Sequence, residues 1–383
     1  MKLGLLLKYE ANNYGSKLQA LATIKLFEEL GHECFVIHYG KKGLKFKLCA
    51  VSKLFDASFR QDKWEAYRRK QIYKQNPDIK EYVARRKEEF KKYDKTFFDK
   101  YEIYGATYAD IQAISKTMDA IVSCSDQLWS PAGLSTNFYN LMFVPDDIKK
   151  ISFASSFGVA QIPNAQVKRT KEYINRIEFV SCRENRGAEI IKDLTGREVP
   201  VLMDPVFAYD INGWKSLVPE KKIVNEPYIL SYLLGDNEEH RVIVEKFAKS
   251  KGMKIVAIKY LDCIISYDRS FGDICPFDVD PNTMLNLIRN AEYVFTDSFH
   301  GTAFSAICQK RFGVFNRYAD NSKSSKNSRI DSVCENLHLE SRRLYSDSNV
   351  NGVMESYIDW VDVQKRINEY GKKMREYLIA ALM

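Results

Sequence analysis

The chain has 383 residues, beyond the roughly 250–300 at which a single hydrophobic core stops growing, so two domains are expected. Its 45% apolar and 28% charged residues are ordinary for a globular protein and exclude a disordered or fibrous chain. No stretch approaches the ~18 apolar residues of a membrane span. The eight cysteines are scattered, with no C-x-x-C pair and no Cys/His spacing suited to zinc, so neither a metal site nor a cofactor is expected. Cys34, Cys124, Cys182 and Cys308 lie in apolar runs and read as buried thiols of a reducing cytoplasm.

In chain order, residues 3–9 read as a first strand rather than a signal peptide, because the apolar run is short and lacks a small-residue cleavage site. The polar turn Glu10 to Ser16 follows. A helix then carries Leu18, Leu21, Ala22, Leu26, Phe27 and Leu30 on one side and stops at Gly31. Cys34 to Tyr39 completes a βαβ unit without the G-x-G-x-x-G dinucleotide fingerprint. The first turn reads either as a plain βα loop or as a site where Gly15 lets a ligand approach the backbone.

The net charge of +8 is concentrated between Lys41 and Glu102, where 19 basic side chains face 10 acidic ones. Its aromatic residues, Trp64, Tyr67, Tyr73 and Phe90 among them, alternate with Lys and Arg. Two readings stand: a patch for an anionic membrane surface or acidic glycan, and a solvated amphipathic helical insertion. No nucleic-acid motif accompanies the charge, and no nucleic-acid partner is expected.

Beyond it, strands at 120–124, 151–154, 179–182 and 199–203 each end in a polar or glycine-containing loop. Such loops collect along one edge of a parallel sheet, where ligands bind. The stretch Ala208 to Glu226 is polar and irregular and marks a boundary. A second alternating series follows: strands at 228–234, 254–259, 293–296 and 312–315, helices at 239–250, 282–290 and 301–309, and another helix near Ile330 to Leu337. The expected organisation is a Rossmann-like domain over 1–210 with a basic, mainly helical insertion at about 41–105. A second Rossmann-like domain covers 211–354, and a helix at 355–383 packs back on the first domain. The class is α/β, with a ligand cleft between two domains.

The chain is organised around Thr296 to Ser305, a polar cluster between a buried strand and a helix start. That position puts unpaired backbone N–H groups beside His300, a candidate acid or base. A helix cap or core histidine is an equal alternative on local pattern. Asp297 reads most simply as the helix N-cap.

The motifs N-N-Y-G-S with K-L-Q-A, S-D-Q-L-W, S-F-A-S-S-F-G, C-R-E, D-P and T-D-S-F-H-G-T-A-F-S occur in register from Leu3 to about Leu337. In order and spacing they resemble the polysaccharide pyruvyl transferase family. The resemblance implies paired Rossmann-like halves in a GT-B-like arrangement. It also implies transfer of an enolpyruvyl-derived group from phosphoenolpyruvate to two hydroxyls of a sugar, giving a cyclic ketal. The acceptor would be a sugar or lipid-linked oligosaccharide, and the basic insertion would hold the enzyme at the inner face of the membrane without spanning it.

Residue chemistry fits that expectation. A phosphate and a carboxylate call for fixed cationic forks, and Arg183, just after its strand, suits that role. A surface ion pair with Glu184 or Glu189 is its alternative, and Arg186 is expected to face solvent. His300 would protonate the enol carbon or help phosphate leave. Asp126 is a candidate general base or, equally, a carboxylate stitching its loop, with Gln127 beside it on the acceptor side. Asn13, Tyr14, Gly15 and Gly301 are expected to contact substrate. Characterised ketal-forming members resemble T-D-R-x-H, whereas Ser298 stands here in place of the arginine. Arg329 is the candidate to restore the charge from the second domain. Two other functions remain: a GT-B-type glycosyltransferase using a nucleotide-sugar donor, favoured by Ser298, and a non-catalytic glycan-binding protein.

Overall fold

The computed structural model describes residues 1–9, 12–40, 64, 67, 71, 73–131, 136–261, 265–318, 327–345 and 348–383. Among them the strands form two sheets, both parallel throughout. The first contains β1 (Lys2–Leu6), β2 (Glu33–Tyr39), β3 (Glu102–Gly105), β4 (Ala120–Ser123), β5 (Lys149–Ser155) and β6 (Phe179–Cys182), in the order β3-β2-β1-β4-β5-β6. The second contains β7 (Tyr228–Tyr232), β8 (Lys254–Ala257), β9 (Tyr293–Thr296), β10 (Arg311–Phe315) and β11 (Arg343–Leu344), in the order β11-β10-β9-β7-β8. Central strands are buried on both faces, as the unbroken apolar runs of β1, β4 and β9 require.

In each sheet the strand order reverses once, between β1 and β4 in the first and between β7 and β9 in the second. The loops leaving a reversal point diverge and open a crevice at the carboxyl ends of the strands. Here the two crevices face one another. Gly15, after β1, lies directly against the ring of His300, after β9.

Helix Pro77–Phe97 runs from one lobe to the other. Phe90 and Tyr93 are buried, and Asp94 pairs with the buried Lys17 of helix Tyr14–Glu29. Nearer its start, Arg85 donates to Asp278 at 2.8 Å, Tyr82 stacks on Phe277 at 3.7 Å, and Arg86 donates to the Lys259 carbonyl at 2.6 Å. Helix Trp360–Leu382 returns to the first sheet. The Tyr377 hydroxyl donates to the Ser152 carbonyl at 2.7 Å, and Arg375 donates to the Ala208 carbonyl and to Glu29.

Several expectations need correction. The end of the supposed insertion, Glu102–Gly105, is β3 and pairs with β2. Residues 199–203 form no full strand; Val201 makes a single bridge to Cys182. Asp297 does not cap the following helix. Ser298 does, accepting from the Gly301 N–H at 3.4 Å, and the helix spans Phe299–Ile307. The buried Asp297 instead accepts from the N–H groups of Leu234 and Gly235, both at 2.7 Å, fixing the loop after β7. Residues 41–63, the most basic part of the insertion, lie outside the described residues. No helix among the described residues is long and apolar enough to cross a membrane.

Candidate active site

Three loops of the first lobe are stitched together before they meet the second. After β5, the Ser156 N–H donates to the Asp126 carbonyl at 3.0 Å, and the Trp129 N–H returns to the Ser156 carbonyl. The Arg183 N–H donates to the Ser155 carbonyl, which joins the β6 loop to the same framework. Asp126 sits at a φ of 85° and Ala154 at 51°, backbone turns that sharpen the ends of β4 and β5. Asp126 accepts from the Gln127 N–H at 2.8 Å. Trp129 is fully buried against Phe157 and Tyr173 and is a packing residue.

Arg183 is 8% exposed and does not form the surface pair with Glu189 that the sequence suggests. Its main partner is Asp204, at 2.9 Å, with Glu184 at 3.9 Å. Arg186 takes Glu189 instead, at 2.7 Å, and is exposed. Asp204 is fully buried, and its Oδ2 also lies 3.8 Å from His300 Nε2. One carboxylate oxygen thus stands between the guanidinium and the imidazole. Sequence reasoning missed Asp204 as a site residue; its only signal was the Asp-Pro pair after the 199–203 stretch.

His300 projects from the first turn of its helix into this niche with a side-chain exposure of 15%. Burial depresses its pKa, Asp204 opposes that, and the nearby Arg183 charge adds to it. Burial alone would raise the Asp126 pKa, but Arg183, Lys8, the Gln127 N–H and His300 hold it below the usual carboxylate value. The niche therefore combines an ionised carboxylate with a neutral imidazole at neutral pH.

Arg329, from the first turn of helix Ser328–Asn336, completes the cluster. Its guanidinium lies 5.8 Å from the centre of the Phe299 ring, and that of Arg183 lies 5.3 Å from the same ring. Burial and the neighbouring Arg183 charge pull the Arg329 pKa down to about 10. Four polar atoms in the niche have no hydrogen-bond partner: Arg183 Nη2, Arg329 Nε, His300 Nε2 and Glu184 Oε2. Buried donors without acceptors cost about 1–3 kcal/mol each, and a bound anion would satisfy them.

Other expected site residues have structural roles of their own. The Ser298 hydroxyl is occupied by the helix cap, and Gly301 is buried where a side chain would overlap Thr296. Gln127 packs against Gly158. The Asn13 side chain accepts from the Ser16 N–H at 3.2 Å and caps helix Tyr14–Glu29. Asn13 and Tyr14 also line a separate cavity of about 510 Å³ between the lobes. Among the described residues no group of His, Cys, Asp and Glu side chains could hold a metal ion.

The fold has relatives among solved structures. UDP-GlcNAc 2-epimerase from Methanocaldococcus jannaschii is 12% identical, with a TM-score of 0.50 over 99% of this chain and 100% of that one. A putative UDP-N-acetylglucosamine 2-epimerase from Listeria monocytogenes is 11% identical, with a TM-score of 0.51 over 100% and 95%. The S. aureus MnaA–UDP co-structure is 10% identical, with a TM-score of 0.52 over the same shares. At these identities the likeness is one of fold, a GT-B-like pair of Rossmann-type lobes. No curated protein matches the chain. The profile of the polysaccharide pyruvyl transferases matches residues 13–317, well over half of the sequence, and the chain belongs to that family.

Proposed function

We propose that the protein transfers the pyruvyl group of phosphoenolpyruvate to two hydroxyls of a sugar in a cell-surface polysaccharide precursor, forming a cyclic ketal. The observation that carries this reading is the convergence of Arg183, Arg329 and His300 around Phe299 and Asp204, with one unsatisfied donor or ring nitrogen on each of the three. Two guanidinium forks suit a phosphate and a carboxylate on one small molecule. Arg329 supplies the cation that Ser298 does not.

In this mechanism donor binding raises the depressed His300 pKa, because two anionic groups arrive beside the ring. The imidazolium then protonates the methylene carbon of the donor. A sugar hydroxyl attacks the adjacent carbon and gives its proton to Asp126. Phosphate leaves, and the second hydroxyl attacks the same carbon to close the ring. Of the two hydroxyl protons, one balances the new methyl group and one departs with phosphate. The guanidinium charges stabilise the leaving phosphate.

The test pairs phosphoenolpyruvate with defined glycan acceptors and follows both product mass and phosphate. The expected result is one pyruvyl unit gained, with one phosphate released for each. Gain of a hexose from a nucleotide-sugar, with no response to phosphoenolpyruvate, would refute the proposal in favour of glycosyl transfer.

A further inference from the structure

The 510 Å³ cavity between the lobes has no place in the donor chemistry, yet it is built for an anion. Among the described residues its lining includes Arg86, Lys87, Lys259 and Arg317, and no Asp or Glu. None of the four is in an ion pair with a carboxylate among the described residues. They come from three separate elements: the lobe-spanning helix, the loop after β8 and the loop after β10. Arg86 is 7% exposed; its Nη1 donates to the Lys259 carbonyl, while Nε and Nη2 have no partner. The hydroxyl of Tyr14, 4% exposed, has none either. Arg317 lies 5.5 Å from the centre of the Tyr318 ring, which limits its orientation.

A guanidinium buried with two unpartnered nitrogens is costly unless an anion completes it. Fork geometry favours phosphate oxygens, and four cations on three elements exceed what a single carboxylate or phosphate needs. The donor's own phosphate and carboxylate are accounted for by Arg183 and Arg329. Between that niche and this cavity stands the Asn13–Gly15 turn, with Asn13 and Tyr14 on the cavity and Gly15 against His300. A sugar joined to a phosphate group in the cavity would point past this turn toward the imidazole.

We infer that this cavity binds the diphosphate of an activated acceptor, a sugar carried on a nucleoside or polyprenyl diphosphate. The word acceptor rests on the transferase reading above; the diphosphate site itself does not.

The experiment is calorimetric titration of the full chain and its variants with inorganic pyrophosphate and, separately, with phosphoenolpyruvate. Arg86→Gln and Lys259→Gln are each expected to weaken pyrophosphate at least about tenfold while leaving phosphoenolpyruvate within about twofold. Arg183→Gln is expected to do the reverse, and the two ligands should bind together. Competition between them for one site, or unchanged pyrophosphate binding in both cavity variants, would overturn the inference. Lys259 is only half-buried, so its variant keeps the test valid if Arg86→Gln fails to fold. Uridine diphosphate and farnesyl diphosphate form the second arm. Whichever binds tighter than pyrophosphate identifies the carrier, whereas orthophosphate binding as tightly as all three would refute a diphosphate site. If phosphoenolpyruvate binds nowhere while pyrophosphate keeps its dependence on Arg86, the donor reading falls and the site stands.

Discussion

Gly15→Ala tests whether the contact between the two crevices positions the imidazole. A Cβ at residue 15 would stand 2.6 Å from His300 Cβ and closer still to the ring atoms Cγ and Nδ1. Ordinary carbon contacts begin near ~3.5 Å, so the ring must move by more than about 1 Å. Overpacking of this kind costs about 1–3 kcal/mol of stability. Misplacement of a reacting group by about 1 Å costs on the order of 100-fold in rate. Gly15 sits in the first turn of helix Tyr14–Glu29, where alanine would otherwise gain up to ~1 kcal/mol of helix propensity. Loss of stability would therefore report the collision rather than the helix. Phosphate release from phosphoenolpyruvate in the presence of acceptor should fall about 100-fold in kcat, with donor affinity within a few-fold because Arg183 and Arg329 are untouched. Turnover within about threefold of wild type, in a variant as stable as wild type, would refute the claim that this contact holds His300 in place.

Arg329→Ala should weaken phosphoenolpyruvate by roughly 10- to 100-fold in a direct titration, the worth of a charge-assisted hydrogen bond, while unchanged affinity would show that Arg183 binds the donor alone. Because burial holds His300 neutral in the free niche, donor binding near pH 7 should take up protons. Calorimetry in buffers of different ionisation enthalpy measures that uptake, and His300→Gln should abolish it. His240 provides a control away from the niche: burial and the adjacent Arg241 depress its pKa to about 4. The unfolded chain binds that proton first, so its contribution is fully present above about pH 6.5 and is lost as pH falls toward 4. Denaturant midpoints should decline across that window, and His240→Gln should flatten the decline.

Patterns that repeat along the chain were legible; pairings made only in space were not. Apolar runs ending in polar loops placed the central strands β1, β2, β4, β5, β7, β9 and β10, because burial on both faces leaves that signature, and the edge strands β6 and β8 showed it as well because they too are largely buried. Edge strands β3 and β11 escaped, since Glu102–Gly105 is only partly buried and Arg343–Leu344 is too short to show a period. His300 and Arg183 could be singled out as chemistry-bearing residues beside strand ends. Asp204 could not be joined to them, because it lies 21 residues from Arg183 and is brought there by a bridge rather than a strand. Asp297 and Ser298 are both good cap residues, and local pattern cannot choose between them. The loop after β7 decides, by offering Asp297 two N–H groups from more than 60 residues away.

The returning helix Trp360–Leu382 bears on how this chain can be made and divided. Arg375 meets a carboxylate 346 positions earlier, and Tyr377 seals a strand made 225 positions before it. A ribosome releasing the first sheet would expose an apolar surface that stays uncovered until the second lobe has also been synthesised. Cutting the polypeptide near residue 211 should accordingly yield an aggregation-prone fragment rather than a free-standing Rossmann unit, and supplying residues 360–382 in trans should rescue its solubility.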